Sequence, residues 1–267
     1  MGKIYQFNEL PSTNEFAKSI SKEADEWTIV IADKQTQGKG RLNKIWYSPT
    51  GGLWFSIILR PQNFLVLPLC VGVAVCETIR ELGLKNAQIK WPNDILIHGK
   101  KVAGILSEFV VAKPRFHRDK LQSRLSRSSG GSGGDEGTVI VGVGINLNIR
   151  EFPNEIENTA TSLLLEKGKT YDKEKVFDRV RKRIKEKYTL IEANKQQEII
   201  TEFKSLSITL GKRVKIETPN GCLEGKAIDI DSNGALILKL PTGKTEKIFA
   251  GCSEAEIPLP RDECVQL

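Results

Sequence analysis

The stretch Lys90-Trp91-Pro92-Asn93-Asp94-Ile95-Leu96-Ile97-His98-Gly99-Lys100-Lys101-Val102-Ala103-Gly104-Ile105-Leu106 decides the fold. Ile95, Leu96 and Ile97 form an apolar run between two turn signals, Pro92-Asn93-Asp94 before it and His98-Gly99 after it. Ile89 to Trp91 reads as a short strand entering the first turn. His98-Gly99-Lys100-Lys101 reads as a tight hairpin that returns the chain into a longer strand, Val102 to Val111. Strands joined this closely belong to one sheet, so the surrounding segments are read as its neighbours.

Toward the N-terminus, Leu67 to Leu82 has helical length and small residues that permit close packing. Leu53 to Leu59 and Trp27 to Asp33 are apolar, β-branched strands. Ser12 stands where a helix N-cap belongs and Glu15 at the third helical position of a capping box, for a helix running to about Ser21. Toward the C-terminus, Val139 to Ile149 resumes the sheet, and Asp172 to Tyr188 and Gln196 to Leu206 are amphipathic helices. From Gly211 the pattern changes to short strands with turns at Pro219-Asn220-Gly221, Asp231-Ser232-Asn233-Gly234 and Pro241-Thr242-Gly243, the spacing of a small closed β-barrel. The expected class is α+β: a mixed sheet with flanking helices, plus a small C-terminal barrel.

Composition excludes several functions. With 39% hydrophobic and 27% charged residues among 267, the chain is ordinary soluble protein, and its apolar runs fall far short of a membrane span. Met1 to Phe7 lacks the apolar region of a secretory signal, so a cytoplasmic location is expected. Cys70, Cys76, Cys222, Cys252 and Cys264 are odd in number and lack C-x-x-C spacing, which fits free thiols better than disulfides or zinc. The net charge of +7 is unevenly placed: Lys113 to Gly134 carries +5 of it, leaving +2 for the rest of the chain. Ser128 to Gly134 has flexible-linker composition, and 113–137 reads as an excursion between two strands.

Two segments could carry chemistry. Gly38-Lys39-Gly40-Arg41-Leu42-Asn43-Lys44-Ile45-Trp46 offers a backbone free to approach a ligand, with cations beside it, as a phosphate loop needs. It lacks the G-x-x-x-x-G-K-[ST] spacing of a Walker loop, and a basic turn after a strand is also ordinary surface structure. The opening stretch supplies Asp94 and Lys101 on neighbouring strands, although a hairpin lysine is commonly a solvated charge and Asn93-Asp94 also suits a turn.

Taken in order, Ser12-Thr13-Asn14, Gln35-x-x-Gly38-x-Gly40-Arg41, Trp46, Lys90-Trp91-Pro92-Asn93-Asp94, Lys101-x-Ala103-Gly104-Ile105-Leu106 and Gly142-x-Gly144-Ile145-Asn146 form a pattern that resembles the biotin protein ligases. The resemblance covers nearly the whole chain and is to the short, single-function form without an N-terminal DNA-binding domain. It implies a class II synthetase-like catalytic domain over 1–208, including the 113–137 insert, an SH3-like β-barrel over 209–260 and a tail over 261–267. It also implies a two-step reaction: biotin is activated with ATP to biotinyl-5'-AMP, then passed to a lysine of a biotin carboxyl carrier domain of a carboxylase.

The resemblance further implies roles for individual residues. Ser12, Thr13, Asn14 and Gln35 would hold the ureido end of biotin, with the backbone at Gly38 and Gly104 lining its pocket. Lys39, Gly40 and Arg41 would close over the carboxylate and phosphate, with Trp46 packed beside the ligand. Lys101 would meet the biotin carboxylate and the α-phosphate, Asn146 would lie on the nucleotide side, and Asp94 would orient or accept a proton. Lys101, Arg41 and Asp94 are thus the expected catalytic set. ATP with Mg²⁺ and biotin are expected as substrates, with no prosthetic group and no protein-held metal. A homodimer without DNA or membrane partners is also expected. The commonest form of the loop reads GRGRRGRxW, so Lys39, Leu42, Asn43 and Lys44 depart from it and only Arg41 keeps a guanidinium able to grip phosphate with two bonds. A lipoate or octanoyl transferase of the same broad fold is the alternative, and the KWPND segment with Ser12-Thr13-Asn14 favours biotin.

Overall fold

His98 and Gly99 both adopt left-handed backbone, with φ of +49° and +78°. That pair of conformations makes a two-residue hairpin turn whose twist matches its flanking strands. The computed structural model describes residues 2–41, 44–110, 137–218, 221–249 and 264–266. In chain order these form β1 (Ile4–Leu10), α1 (Thr13–Ile20), β2 (Ile29–Gln35), β3 (Leu53–Leu59), α2 (Leu67–Glu81), β4 (Gln88–Lys90), β5 (Asp94–Ile97), β6 (Lys100–Val110) and β7 (Thr138–Ile145). There follow α3 (Leu163–Lys167), α4 (Lys173–Glu192), α5 (Gln196–Leu206), β8 (Arg213–Thr218), β9 (Gly221–Ile230), β10 (Leu236–Lys239), β11 (Thr245–Ile248) and β12 (Cys264–Gln266).

Among the described residues β1 to β7 make one sheet in the order β1-β2-β3-β7-β6-β5-β4. β1 and β2 run parallel and every other pair is antiparallel, which is the mixed sheet expected. β3 is buried along its whole length because both of its faces are covered. Phe55 and Ile57 join the large core with α2 and α4, while Ile58 on the opposite face packs with Val30, Ile140 and Ala17 under α1. α1 therefore sits on one face of the sheet with its N-terminus directed at the centre strands.

The second sheet has the order β11-β10-β9-β8-β12, and its inward residues Val214, Ile216, Ala227, Leu236 and Leu238 belong to the same core cluster as the first sheet. Trp91 is the pin between the two sheets. It is 2% exposed, its backbone N–H donates to Thr209 Oγ1 at 2.9 Å, and its indole N–H donates to the Gly234 carbonyl at 3.1 Å. The Trp91-Pro92 peptide is cis.

Several expectations shift. β1 had no counterpart in the sequence reading. The strand expected at Trp27 to Asp33 runs instead from Ile29 to Gln35, with Trp27 at φ +66° before it. The strand expected to reach Ile149 ends at Ile145, and α4 continues to Glu192. Ser12 does cap α1, accepting from the Glu15 N–H at 3.4 Å, but the Glu15 carboxylate pairs with Lys18 and Lys39 and does not close the capping box. The 113–137 excursion, apart from Gly137, and the tail, apart from 264–266, lie outside the described residues. Among the described residues no helix is long and apolar enough to cross a membrane.

Replacing Thr209 with Val keeps the shape and strands the buried Trp91 N–H, so Thr209→Val is expected to lower unfolding free energy by about 1–3 kcal/mol. A urea midpoint equal to that of the unmodified protein would show that the pin contributes nothing.

Candidate active site

The site begins with a gap in the sheet. Gly104 on β6 and Gly144 on β7 are register partners, and Gly142 lies two residues along β7 opposite Leu106. Without side chains there, the Trp46 indole lies on the sheet: a Cβ at Gly144 would come within 2.6 Å of Trp46 Nε1, and one at Gly104 within 3.2 Å of its ring. A Cβ at Gly142 would meet Asn14 Oδ1 at 2.3 Å. The bare strip and the walls around it enclose a cavity of about 410 Å³, the size of a small-molecule site.

One end of the cavity is neutral and hydrogen-bonded. The first turn of α1 leaves backbone N–H groups without helical partners. Gln35, at the end of β2, accepts from the Thr13 N–H at 2.8 Å and lies 3.1 Å from Thr13 Oγ1. Its amide nitrogen donates to Ser48 Oγ at 2.9 Å. Ser56 Oγ, fully buried on β3, lies 2.8 Å from Thr13 Oγ1 and 2.5 Å from Asn14 Oδ1. Ser12, Thr13 and Asn14 are each less than 5% exposed and all border the cavity. Burial of so many polar groups is tolerated only because they are paired.

The other end is cationic. Lys101 Nζ sits 2.7 Å from Asp94 Oδ1 and 5.0 Å above the Trp46 ring. A register shift between β5 and β6 separates the two strand positions, Asp94 lying opposite Gly104 and Lys101 opposite Leu96. Arg41 donates to Asn93 Oδ1 at 3.1 Å, and Asn93 Nδ2 donates to the Ile105 carbonyl at 2.7 Å, so the opening stretch carries the arginine's support. The two arms of the loop pair, with Gly40 N–H donating to the Lys44 carbonyl at 2.7 Å and Trp46 N–H to the Gly38 carbonyl at 2.9 Å. Lys39 reaches back to Glu15 Oε1 at 2.8 Å. Hydrogen bonds from Lys18 and Lys39 hold the Glu15 carboxyl below the usual carboxylate range.

A wall the sequence did not reveal completes this end. Lys101 N–H donates to the Thr159 carbonyl at 2.7 Å and the Thr161 N–H donates to the Lys101 carbonyl at 2.9 Å, which brings Ile156, Thr159 and Ala160 onto the cavity. Asn146 Nδ2 donates to the Thr161 carbonyl at 2.9 Å, so Asn146 both borders the cavity and clamps that wall. Of the residues singled out from the sequence, only Gly38 stands just behind the lining, and the rest of the set borders the cavity. Sequence reasoning missed Ser56 and Ser48, and it quoted Asn93 within the Lys90 to Asp94 motif without a role. Ser56 alone carried a signal, as the polar residue inside an apolar strand.

Among the described residues, other chemistries are not assembled. Burial pushes the Cys76 thiol up to about 12 and raises that of Cys70 as well, so neither is a nucleophile near neutral pH. Cys70, Cys76 and Cys222 are free, while Cys252 and the side chain of Cys264 lie outside the described residues. Among the described residues no group of three or more His, Cys, Asp or Glu is placed to hold a metal ion.

A mixed sheet with a neutral, hydrogen-bonding pole and a cationic pole in one cavity, partly roofed by a basic loop, defines an enzyme that binds a small molecule beside an anionic co-substrate. Residues 6–118 match the Biotin/lipoate A/B protein ligase family, and residues 209–251 match the Biotin protein ligase C terminal domain. The chain is 35% identical to the bifunctional ligase/repressor BirA of Bacillus subtilis, over 90% of this chain and 70% of that protein. It is 30% identical to the biotin--[acetyl-CoA-carboxylase] ligase of Mycobacterium tuberculosis, over 88% of this chain and 81% of that one. Its fold superposes on the biotin protein ligase from Aquifex aeolicus solved with biotin and ATP, with a TM-score of 0.77, 32% identity and coverage of 93% and 96% of the two chains. The chain belongs to the biotin protein ligase family.

If the bare strip sets the cavity, Gly142→Ala should displace Asn14 and weaken biotin binding by about tenfold or more in calorimetry, a loss of roughly 1.4 kcal/mol. Gly168→Asn, at φ +67° with open space around it, should leave affinity unchanged. Equal affinities for all three proteins would contradict this construction of the site.

Proposed function

We propose that the chain is a working biotin protein ligase, with 1–208 as its catalytic unit and 209–260 as its small barrel. It activates biotin with ATP and transfers the biotinyl group to a lysine of a biotin carboxyl carrier protein. The observation that carries this reading is the two-pole cavity: a ureido head fits the Ser12, Thr13, Asn14 and Gln35 end, and a carboxylate with a nucleotide phosphate fits the Lys101 and Arg41 end. Trp46, between the poles, has an indole N–H that is buried with no partner among the described residues, a donor available to a ligand acceptor.

In the first step a biotin carboxylate oxygen attacks the α-phosphorus, and the bond to pyrophosphate breaks. Both reactants are anions, so the site must supply positive charge and orientation. Lys101 and Arg41 provide the charge, with Lys39 at the loop. Asp94 orients Lys101 through their ion pair, and Mg²⁺ arrives with ATP. The product is a mixed anhydride that water would hydrolyse, and the basic loop that carries Lys39, Arg41 and Trp46 excludes water until the acceptor docks. The acceptor lysine nitrogen then attacks the acyl carbon, AMP leaves, and Asp94 is the nearby carboxylate able to take the proton. Asn146 stands on the nucleotide side with the 156–161 wall.

The proposal extends to a homodimer, supported by β1, which is an edge strand among the described residues and has Ile4 exposed. It places the enzyme in the cytoplasm and away from DNA, in keeping with a net charge of only +2 outside 113–134.

Lys101→Ala should abolish biotin-dependent exchange of pyrophosphate into ATP in a protein with unchanged circular dichroism; exchange at the normal rate would remove Lys101 from the mechanism. Arg41→Gly should speed escape of biotinyl-5'-AMP by about tenfold or more, the loss of one charge-assisted hydrogen bond, and an unaltered escape rate would argue against the roof role. Lipoate in place of biotin should support no exchange, and exchange with lipoate alone would favour the lipoate reading.

A further inference from the structure

The neutral pole is braced from outside by a chain of charges in which Lys39 alone has a role above. Asn14 Nδ2 donates to Glu108 Oε2 at 2.7 Å and lies 3.5 Å from the Leu106 carbonyl. Lys18 donates to Glu108 Oε1 at 2.7 Å and to Glu15 Oε1 at 2.8 Å. Glu15 in turn accepts from Lys39 at 2.8 Å, so the chain runs from the head pole to the loop. Its two ends differ in weight. Glu15 and Lys39 are 44% and 43% exposed, a surface pair that water and salt screen heavily. Glu108 and Lys18 are 27% exposed each and are screened less. Partial burial pulls the Lys18 pKa down, but the bonds to Glu108 and Glu15 outweigh it and leave it raised, which keeps the ammonium charged beside Glu108.

An ionised carboxylate only accepts hydrogen bonds, so the Asn14 atom against Glu108 must be the amide nitrogen. That choice turns Oδ1 toward Ser56, which donates to it at 2.5 Å, and toward the bare backbone of Gly142, which borders the cavity. Were the amide reversed, it would present N–H groups to the cavity and set its carbonyl against a carboxylate. A ureido head has two N–H donors and one carbonyl acceptor, so which atom Asn14 presents decides whether the head is bound or repelled. Resting on the ligase reading above, we propose that Glu108 is a positioning residue: it locks the Asn14 amide with its oxygen toward the cavity as acceptor for a ureido N–H, and Lys18 holds Glu108 in place. Glu108 touches neither substrate nor reacting atoms.

The test is the kinetics of biotin-dependent pyrophosphate exchange by the full chain. Glu108→Gln should raise KM for biotin by about tenfold or more while kcat at saturating biotin and KM for ATP stay within about twofold, the signature of lost ground-state binding. In an Asn14→Ala background the same change should add less than about twofold, because the two residues act as one unit. Lys18→Met should raise KM for biotin by a smaller factor, and it carries the test if Glu108→Gln does not fold. An unmoved KM for biotin in both variants, or the full Glu108→Gln effect in the Asn14→Ala background, would overturn the proposal while leaving the ligase reading intact. Absence of exchange in the unmodified protein would overturn both.

Discussion

The arrangement depends on a strip of sheet that has no side chains. Gly104, Gly142 and Gly144 sit where β6 and β7 cross the middle of the sheet, and their neighbours on those strands, Ile105, Val143 and Ile145, are buried apolar residues that fill the opposite layer. Alternation along a strand makes this possible, since residues two apart share a face. The core face keeps its volume, and the cavity face is stripped to backbone. Trp46 and Asn14 then lie directly on the strip. The basic loop rides on the first and the head pole on the second, so a methyl group added at Gly144 or Gly104 would meet Trp46, and one added at Gly142 would meet Asn14.

The two poles rest on different physics. The head pole is a network of neutral hydrogen bonds joining the buried Thr13, Ser48 and Ser56 to the part-buried Gln35, and this pairing holds it in place before any ligand arrives. The cationic pole is half-exposed: the Lys101 side chain is 32% exposed and is steadied by Asp94 and by the Trp46 ring face. Rigid recognition at one end and an open, charged end suit a reaction in which one substrate is held still while a nucleotide and then a protein lysine come to its carboxylate. Trp91 extends this rigidity outward. It stands one residue beyond Lys90 in the stretch that supplies Asn93 and Asp94, and its bonds to Thr209 and Gly234 tie that stretch to the C-terminal sheet.

Much of this was legible in the chain itself, for definite reasons. β3 and α5 lie within the limits read from the sequence, and α2 within one residue, because their patterns are long or uniform and are bounded by clear stops. The His98-Gly99 hairpin follows from turn chemistry. The residues that border the cavity could be singled out together because each stands in a short, ordered motif. β1 escaped because its apolar residues Ile4, Tyr5, Phe7 and Leu10 are interrupted by Gln6, Asn8 and Glu9 without strict alternation, in a strand with no fully buried residue. Glu108 and the 156–161 wall act through partners distant in sequence, Asn14, Lys18 and Lys101, so no local pattern announces them, and Ser56, marked only as a polar residue in an apolar strand, gives no hint of its bond to Asn14. Glu15 shows the same limit: its position promised a capping box, and tertiary cations drew the carboxylate away.

The central claim is that this cavity joins biotin to a protein. Its most direct test is to incubate the chain with biotin, MgATP and a biotin carboxyl carrier domain, then probe the acceptor with streptavidin. A streptavidin signal that needs both ATP and the acceptor lysine is the expected result. A blank acceptor in the presence of folded enzyme would contradict the account.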